Sequence, residues 1–401
     1  MTIRTILAAG AVALLGTTAI NAASHSEGIK LGFLGGITGP IESLMPPIQA
    51  GAQLAVDEVN GAGGIGDGRM IELIVGDTTC VDATAAANAA DRMVNVDEVT
   101  AIVGAMCSGA TISAANNAGV PAGVVMVSPA STSPAVTTLD DNDQVFRTAP
   151  SDAFQGEVLA QAVLDRGIDN VAVTFVNNDY GKGFAESFEA AFTSGGGTVS
   201  GSEAHEDGKA DYRAEIGNLA STGADTLVVL AYVDGSGGTI VQQAVESGDF
   251  TQFVGGDGMV GDAIGERAGP DADGMIATRP GSPDLPGGET FRTNAEAAEL
   301  DPDATFAAQS YDAAMLLALA MEKTGGEREG LAAALREVAS APGEKVYPGE
   351  FQKAKDLIAA GTDIDYDGAS TAAEFDEAGD VPGDYDTMVV REGKFVVEEE
   401  M

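Results

Sequence analysis

Residues 29–36, Ile-Lys-Leu-Gly-Phe-Leu-Gly-Gly, form a short apolar run that ends in two glycines. A helical pattern follows at Ile48–Val59, in which Ala50 and Leu54 lie four residues apart. The first run predicts a buried strand and the second a helix that packs against it. Strand and helix units of this length favour a parallel sheet that is covered by helices on both faces.

The same alternation continues along the chain, breaks near Gln144–Pro150, and then restarts. Before the break, strands are predicted at 71–75, 101–103 and 123–128, and helices at 83–94 and 110–118. After it, strands are predicted at 171–176, 198–203, 226–231 and 253–255, and helices at 153–165, 183–193, 212–220 and 239–246. Two runs of one pattern predict an α/β protein with two similar lobes, each a parallel sheet flanked by helices.

The C-terminal third departs from this alternation. Ala277–Pro283 is rich in proline and glycine and predicts a second connection between the lobes. Helices are predicted beyond it at 306–323, 328–338 and 348–360, and strands at 387–391 and 394–398. Ligands of open parallel sheets bind beyond the carboxyl ends of the strands, so the loops after the strands are the expected site.

Residues 1–22 have the parts of a cleavable secretory signal. Arg4 precedes the apolar run Thr5–Leu15, and small residues lead to a predicted cleavage after Ala22. A buried N-terminal helix is the alternative. The run is too short for a membrane span, which needs roughly 20 residues, and no later segment is apolar for long enough. We therefore expect a soluble protein that is exported to the periplasm.

The charge of the chain excludes several classes of partner. Among 401 residues there are 62 Asp and Glu against 20 Lys and Arg, which gives a net charge of −42. Nucleic acid and anionic membrane surfaces are disfavoured, because binding to them needs a basic face. Only two histidines are present, which argues against zinc clusters and against a Ser-His-Asp triad.

Cys80 and Cys107 are the only cysteines, and an oxidising compartment would allow them to pair. Each follows a predicted strand, Ile71–Asp77 and Thr100–Ala105, and neighbouring parallel strands would bring the two together. Two independent buried thiols are the alternative.

In the first run, polar loops follow two strands. Ser108 opens a helix, where a hydroxyl beside free N–H groups suits an anion, although it could simply cap the helix. Ser128-Pro-Ala-Ser-Thr-Ser-Pro134 holds Ala130 and Thr132 between two prolines. This segment could equally be a surface turn.

In the second run, the loops offer aromatic rings and a carboxylate. Tyr180 and Tyr232 each follow a strand, and either ring could instead be a packing residue. Asp257 lies among glycines after the last strand, where a turn-forming role is the alternative. If the two lobes face each other, donors that can bind a carboxylate would lie on one side. A carboxylate and two phenols would lie on the other side.

Eight segments of the chain resemble the periplasmic leucine/isoleucine/valine-binding proteins of ABC importers. They lie at 29–34, 35–40, 57–65, 129–134, 146–148, 179–183, 255–258 and 375–380. The resemblance implies a type I periplasmic binding protein whose lobes are joined by a multi-strand hinge. Residues 28–148 and 279–382 would form lobe 1, and residues 149–278 and 383–401 would form lobe 2. The two cysteines fall where this family has its disulfide.

The resemblance also implies a set of ligand contacts. Ser108 and the amide of Thr132 would hold the carboxylate of an amino acid. The carbonyl of Ala130, the hydroxyl of Thr132 and Asp257 would hold its ammonium. A buried zwitterion is tolerable only when both of its charges are matched, as they are by this set.

Three aromatic residues complete the implied site. Tyr180 and Tyr232 would close on the ligand from lobe 2, and Phe306 would border the side-chain pocket. The family often has an aromatic residue where this chain has Leu44, and a Glu where it has Asp257. These departures leave the recognised side chain open, with a bulkier ligand as one consequence.

A calcium site is a competing interpretation of one acidic segment. Its spacing fits the EF-hand pattern. The candidate ligands are Asp363, Asp365, Asp367 and Glu374. No second helix is predicted after Glu374, so a solvated acidic strand is the alternative.

The sequence therefore predicts a monomeric receptor that binds an amino acid, with an aliphatic or branched side chain, and delivers it to a membrane permease. No cofactor and no catalytic residue is predicted. A small amide or an aromatic acid is the alternative ligand, although an aromatic acid would leave Asp257 unpaired. A periplasmic hydrolase is the alternative class, but no histidine is placed near a nucleophile. His205 is expected at the surface.

Overall fold

The computed structural model describes residues 28–281 and 285–400. The predicted signal, residues 1–22, lies outside these residues. The first run of elements is β1 (Ile29–Gly35), α1 (Met45–Gly61), β2 (Ile71–Asp77), α2 (Ala83–Arg92), β3 (Ala101–Gly104), α3 (Ser108–Ala114), α4 (Val120–Ala122), β4 (Met126–Ser128), α5 (Pro134–Thr137) and β5 (Val145–Arg147). The second run is α6 (Asp152–Asp165), β6 (Asn170–Val176), α7 (Asp179–Ser194), β7 (Thr198–His205), α8 (Arg213–Ala220), β8 (Thr226–Leu230), α9 (Ser236–Ser247), β9 (Gln252–Gly255), α10 (Ala263–Ala268) and β10 (Ile276–Pro280).

The remaining elements return to both lobes. They are α11 (Pro286–Ala297), α12 (Ala307–Thr324), α13 (Leu331–Ala339), β11 (Glu344–Val346), α14 (Phe351–Ala359), β12 (Ile364–Tyr366), β13 (Tyr385–Arg391) and β14 (Lys394–Glu400). Helix α12 packs along α1, and its residues 307–321 are all buried. None of the helices among the described residues is long and apolar enough to cross a membrane.

The strands form two large sheets, as expected for two α/β lobes. The first is parallel throughout, in the order β2-β1-β3-β4-β5. The second has the order β14-β13-β10-β9-β8-β6-β7, with β13 antiparallel to both of its neighbours. A small parallel pair, β11 and β12, lies apart from them. The fold class is confirmed, with the correction that the second sheet is mixed, because the β13–β14 hairpin adds two antiparallel strands at its edge.

The central strands are buried on both faces, which explains their nearly continuous apolar sequences. All four residues of β3 and all five of β8 are buried. Side chains from both faces therefore contribute to the cores under the covering helices. Local signals set the helix boundaries: Asp82 accepts hydrogen bonds from the N–H groups of Thr84 and Ala85 where α2 begins.

The structure departs from the predicted loops and strand neighbours at two places. The predicted connection at Ala277–Pro283 is instead part of strand β10 over residues 277–280, because its main chain pairs with β9 and β13. Residues 282–284 of that connection lie outside the described residues. The predicted lobe boundary at 278/279 falls within β10. The strands before Cys80 and Cys107 are also not neighbours, since β1 lies between β2 and β3.

Candidate functional site

The carboxyl ends of the two sheets face each other across a narrow cleft. The cavity that remains in this cleft has a volume of about 20 Å³. Six of the seven predicted ligand residues line it: Ser108, Ala130, Tyr180, Tyr232, Asp257 and Phe306. Thr132, the seventh, is fully buried in the same loop as Ala130. The other lining residues are mostly apolar: Ile41, Leu44, Ile48, Met106, Cys107 and Gly258.

The lobe 1 side of the cleft presents neutral polar groups. Ser108 is the first residue of α3, and its hydroxyl oxygen accepts a hydrogen bond from the N–H of Ser133 at 3.1 Å. This contact ties Ser108 to the loop that carries Ala130 and Thr132. Because the oxygen acts as acceptor here, the hydroxyl proton of Ser108 can be donated to an anion.

Arg147 holds the loop that carries Ala130 and Thr132 in place through hydrogen bonds. Its guanidinium donates to the carbonyls of Ser131 and Ser133 at 3.1 and 2.9 Å, and to the hydroxyl of Thr137 at 2.6 Å. Its two remaining N–H groups bind Asp380 at 2.5 and 2.6 Å. All five donors of this fully buried residue are thus used, and the charge is matched by one carboxylate.

Cys80 and Cys107 form a disulfide, with their Cα atoms 5.3 Å apart. The bond joins the segment after β2 to the residue immediately before Ser108. It therefore anchors the start of α3 at the edge of the cleft. The predicted pairing is confirmed, although β1 separates the two strands.

The lobe 2 side carries a carboxylate and two stacked phenols. Tyr180 donates its hydroxyl to Oδ1 of Asp257 at 3.0 Å, and the N–H of Gly258 donates to the same phenol oxygen at 3.2 Å. The ring of Tyr232 stacks on that of Tyr180 with centroids 5.1 Å apart. A Cβ at position 258 would lie 2.7 Å from the main-chain oxygen of Ala231 and 2.9 Å from that phenol oxygen, so glycine is required here.

Burial governs the protonation of this side. It raises the pKa of Asp257 to about 6, even though the hydrogen bond from Tyr180 opposes the change. Burial also raises the pKa of Tyr180 well above its usual value, and the charge of Asp257 adds to this. Burial raises the pKa of Tyr232 as well, so both phenols are neutral at neutral pH. Asp257 is the group that can balance a cation.

Sequence reasoning missed Asp152, which begins α6. It is completely buried, and neither of its carboxylate oxygens has a hydrogen-bond partner. Its N–H donates to the carbonyl of Thr132 at 2.7 Å. Burial and then the charge of Asp257 raise its pKa well above the usual range. Its position just after β5, at a carboxyl end, was the signal that could have identified it.

The two lobes touch at the mouth of the cleft. The hydroxyl of Ser133 donates to the carbonyl of Asp179 at 2.8 Å. On the other side, the N–H of Ser43 donates to Asp234 at 2.7 Å, and the N–H of Asp234 donates to the carbonyl of Pro40 at 3.1 Å. The structure is thus a closed form.

The four acidic residues considered for calcium do not converge. Asp365 and Asp367 lie 3.0 and 3.8 Å from the ammonium of Lys345. Asp363 is exposed near Lys323, and Glu374 accepts a hydrogen bond from the N–H of Ala341. Over residues 28–281 and 285–400, no group of three or more acidic, histidine or cysteine side chains could hold a metal ion.

His205 is buried rather than exposed, so the expectation for it is wrong. Its Nδ1 lies 2.7 Å from the hydroxyl oxygen of Thr174, and its Nε2 lies 3.0 Å from that of Ser236. These partners let the ring lie inside lobe 2, where burial lowers its pKa to about 4. It does not line the cleft.

The fold and the cleft define a class of two-lobed solute-binding proteins, and comparisons with known proteins identify the family. The sequence model described as "Periplasmic binding protein" matches residues 28–359. The chain belongs to this family and is a solute-binding receptor. It is 30% identical over 329 residues to the leucine-, isoleucine-, valine-, threonine- and alanine-binding protein of Pseudomonas aeruginosa, covering 81% of this chain and 86% of that protein.

Solved structures agree with this assignment. A leucine-binding protein from Thermotoga maritima superposes with a TM-score of 0.78 at 27% identity, covering 93% of this chain and 98% of that one. A branched-chain amino acid transporter substrate-binding protein from Streptococcus pneumoniae, in complex with isoleucine, gives 0.77 at 27% identity, covering 94% and 99%. The predicted resemblance and the type I fold are confirmed.

Proposed function

We propose that this protein binds an aliphatic amino acid between its lobes in the periplasm and delivers it, as a monomer, to the membrane permease of an ABC importer. Residues 28–148 and 279–382 act as one lobe, and residues 149–278 and 383–401 as the other. Closure brings Tyr180, Tyr232 and Asp257 against the ligand. The relatives named above, which bind branched-chain amino acids, support this assignment.

The observation that carries the proposal is the opposition of unlike groups across the cleft. Ser108 and the Thr132 loop offer neutral donors on one side, and Asp257 lies on the other. A carboxylate oriented to the donors and an ammonium oriented to Asp257 satisfy both ends of a zwitterion. The apolar side chains of Ile41, Leu44 and Phe306 suit an aliphatic ligand side chain.

The same geometry disfavours the alternatives. An aromatic acid or a small amide brings no cation, so it leaves the buried Asp257 carboxylate with the hydrogen bond from Tyr180 but without an opposite charge. A hydrolase needs a nucleophile and a base within hydrogen-bond reach. Cys107 is held in a disulfide, and His205 lies away from the cleft. We therefore propose a receptor without catalytic activity.

A thermal-shift screen of the purified mature chain tests the proposal. A ligand at 100 times its Kd stabilises a protein by about 2.7 kcal/mol, which such a screen detects. Leucine, isoleucine and valine should raise the melting temperature, whereas benzoate and aliphatic amides should not. Stabilisation by benzoate or an amide, with no response to any amino acid, would contradict the proposal.

A further inference from the structure

The two contacts at the mouth of the cleft have the same construction. In each, a glycine of lobe 2 lies directly against a proline of lobe 1. A Cβ built at Gly183 would lie 2.8 Å from Cδ of Pro134, and a Cβ built at Gly235 would lie 2.6 Å from Cβ of Pro40. Ordinary van der Waals contact begins at 3.4 Å, so the lobes could not come this close if either position carried a Cβ.

The need for glycine at Gly183 comes from the opposite lobe. This residue lies in the second turn of α7, and the atoms of neighbouring segments nearest to its built Cβ are Cδ and Cγ of Pro134 and Oγ of Ser133. Alanine is otherwise favoured over glycine inside a helix. Glycine is therefore required at this position only when the lobes meet. At Gly235, Asp207 of lobe 2 also lies close, 2.5 Å from the built Cβ, so Gly183 gives the cleaner test.

Both contacts adjoin residues that line the cavity. Tyr180 lies three residues before Gly183, and Tyr232 lies three residues before Gly235. Residues three apart on a helix share a face, so the first turn of α7 presents Tyr180 and Gly183 to lobe 1 together. A wider gap between Gly183 and Pro134 would therefore also move Tyr180 away from the lobe 1 donors.

Hydrogen bonds between the lobes accompany these close approaches. The hydroxyl of Ser133 donates to the carbonyl of Asp179 at 2.8 Å, and the N–H of Ser43 donates to the carboxylate of Asp234 at 2.7 Å. Hydrogen bonds weaken quickly beyond such distances, so they need the segments to be in contact. The closed form thus depends on how near the glycines allow these segments to come.

We propose that Gly183 and Gly235 are positioning residues that set how far the lobes close, and thereby how tightly the ligand is held. The inference rests on the proposed function and extends it to the control of closure. A methyl group at either position would stop the lobes short, so Tyr180 and Tyr232 would not reach the ligand. Binding would weaken although every residue that contacts the ligand is unchanged, because the competent closed form is less populated.

Gly183→Ala separates this effect from folding, because stability and binding should change in opposite directions. Without ligand, the variant should melt at or above the wild-type temperature, since alanine favours the helix. In titration calorimetry it should bind leucine at least about tenfold more weakly, and valine by the same factor, because the change lies outside the cavity. Gly217→Ala in α8 is the matched control, because a Cβ built there meets no atom of a neighbouring segment within 4 Å. It should bind both ligands as wild type does.

Removing the proline ring tests the contact itself. Pro134→Ala takes away the atom nearest to the new methyl group, so it should restore part of the affinity that Gly183→Ala loses. Small-angle X-ray scattering with saturating leucine should give a larger radius of gyration for Gly183→Ala than for wild type. Wild-type affinity in Gly183→Ala, or a loss for leucine without a loss for valine, would overturn the proposal.

A cross-link that needs no ligand separates this inference from the proposed function. Ser43→Cys and Asp234→Cys place two thiols on the other pair of touching segments, where mild oxidation can join them only when the lobes close. Adding Gly183→Ala should slow this cross-link, whereas adding Gly217→Ala should not. Equal rates would overturn the proposal. If no amino acid binds the wild-type chain, the proposed function fails, while the cross-linking rates still test the closure contact.

Discussion

The two faces of the cleft differ in chemistry and in how they are held. The lobe 1 face offers hydroxyl and main-chain groups, and its loops are fixed by the Cys80–Cys107 disulfide and by buried Arg147. The lobe 2 face offers Asp257 beneath two stacked phenols. A neutral face binds an anion through oriented dipoles, whereas a cation is best matched by a buried charge. The difference therefore predicts the direction in which a zwitterion lies between the lobes.

The largest effect is expected from removing the charge of lobe 2. Asp257→Ala leaves a buried ligand ammonium without an opposite charge, which costs about 4 kcal/mol, or roughly a thousandfold in affinity. Titration calorimetry with leucine measures the loss. The exposed Asp249→Ala is the control. The analogue 4-methyl-2-oxopentanoate has the side chain and carboxylate of leucine but no ammonium. An equal loss of affinity for leucine and for this analogue would contradict the assignment of the ammonium to this face.

The disulfide tests how the lobe 1 face is held. It closes a loop of 27 residues. The chain-entropy treatment gives about 3.5 kcal/mol for a loop of this length, so reduction should lower the melting temperature by several degrees. Calorimetric scans with and without a reductant measure the change, with a Cys80→Ser/Cys107→Ser double variant as the control for reductant effects. An unchanged melting temperature would contradict the stabilising role.

A change at His205 tests whether this buried residue of lobe 2 is uncharged in the folded chain. Its pKa is lowered from 6.5 to about 4 by burial, so the folded chain binds this proton less readily than the unfolded chain. Stability is therefore lost as the pH falls from 6.5 towards 4, by about 2.5 kcal/mol at pH 4.5. Urea unfolding at pH 7 and 4.5 should show a smaller loss for His205→Gln than for wild type. Equal losses would mean that His205 is charged inside lobe 2.

The smallest effect is expected from one neutral donor of lobe 1. Ser108→Ala removes a hydrogen bond to the ligand carboxylate, which is worth about 1.5 kcal/mol, or roughly tenfold in affinity. Ser113→Ala is the matched control on the same helix, because the hydroxyl of Ser113 binds the carbonyl of Ala83 instead. A loss as large as that of Asp257→Ala would show that the two faces do not differ as described.

Much of this arrangement could be predicted from the sequence. Alternating strand and helix patterns placed Ser108 and Asp257 at the carboxyl ends of strands, where parallel sheets bind ligands. The order of strands could not be predicted, because the position of β1 between β2 and β3 depends on crossovers that local patterns do not encode. Strand β10 was missed for a different reason. Its Pro280 suggested a loop, but this residue lies at the end of the strand.

The surroundings of Asp152 could not be predicted from the sequence either. In the sequence, Ser151-Asp152 is typical of the start of a helix, and Ser151 does cap α6 by accepting a hydrogen bond from the N–H of Ala153. Only the packed structure shows that Asp152 is buried and that neither of its carboxylate oxygens has a hydrogen-bond partner. A local pattern reports the hydrogen bonds of the main chain, but it does not report which charges meet across the fold.

A crystal structure of the mature chain grown with leucine would test the orientation of the ligand most directly. We predict its carboxylate at hydrogen-bond distance from the Ser108 hydroxyl and its ammonium at the same distance from Asp257, with the isobutyl group against Leu44 and Phe306. A leucine bound in the reverse direction, or bound outside the cleft, would contradict the account.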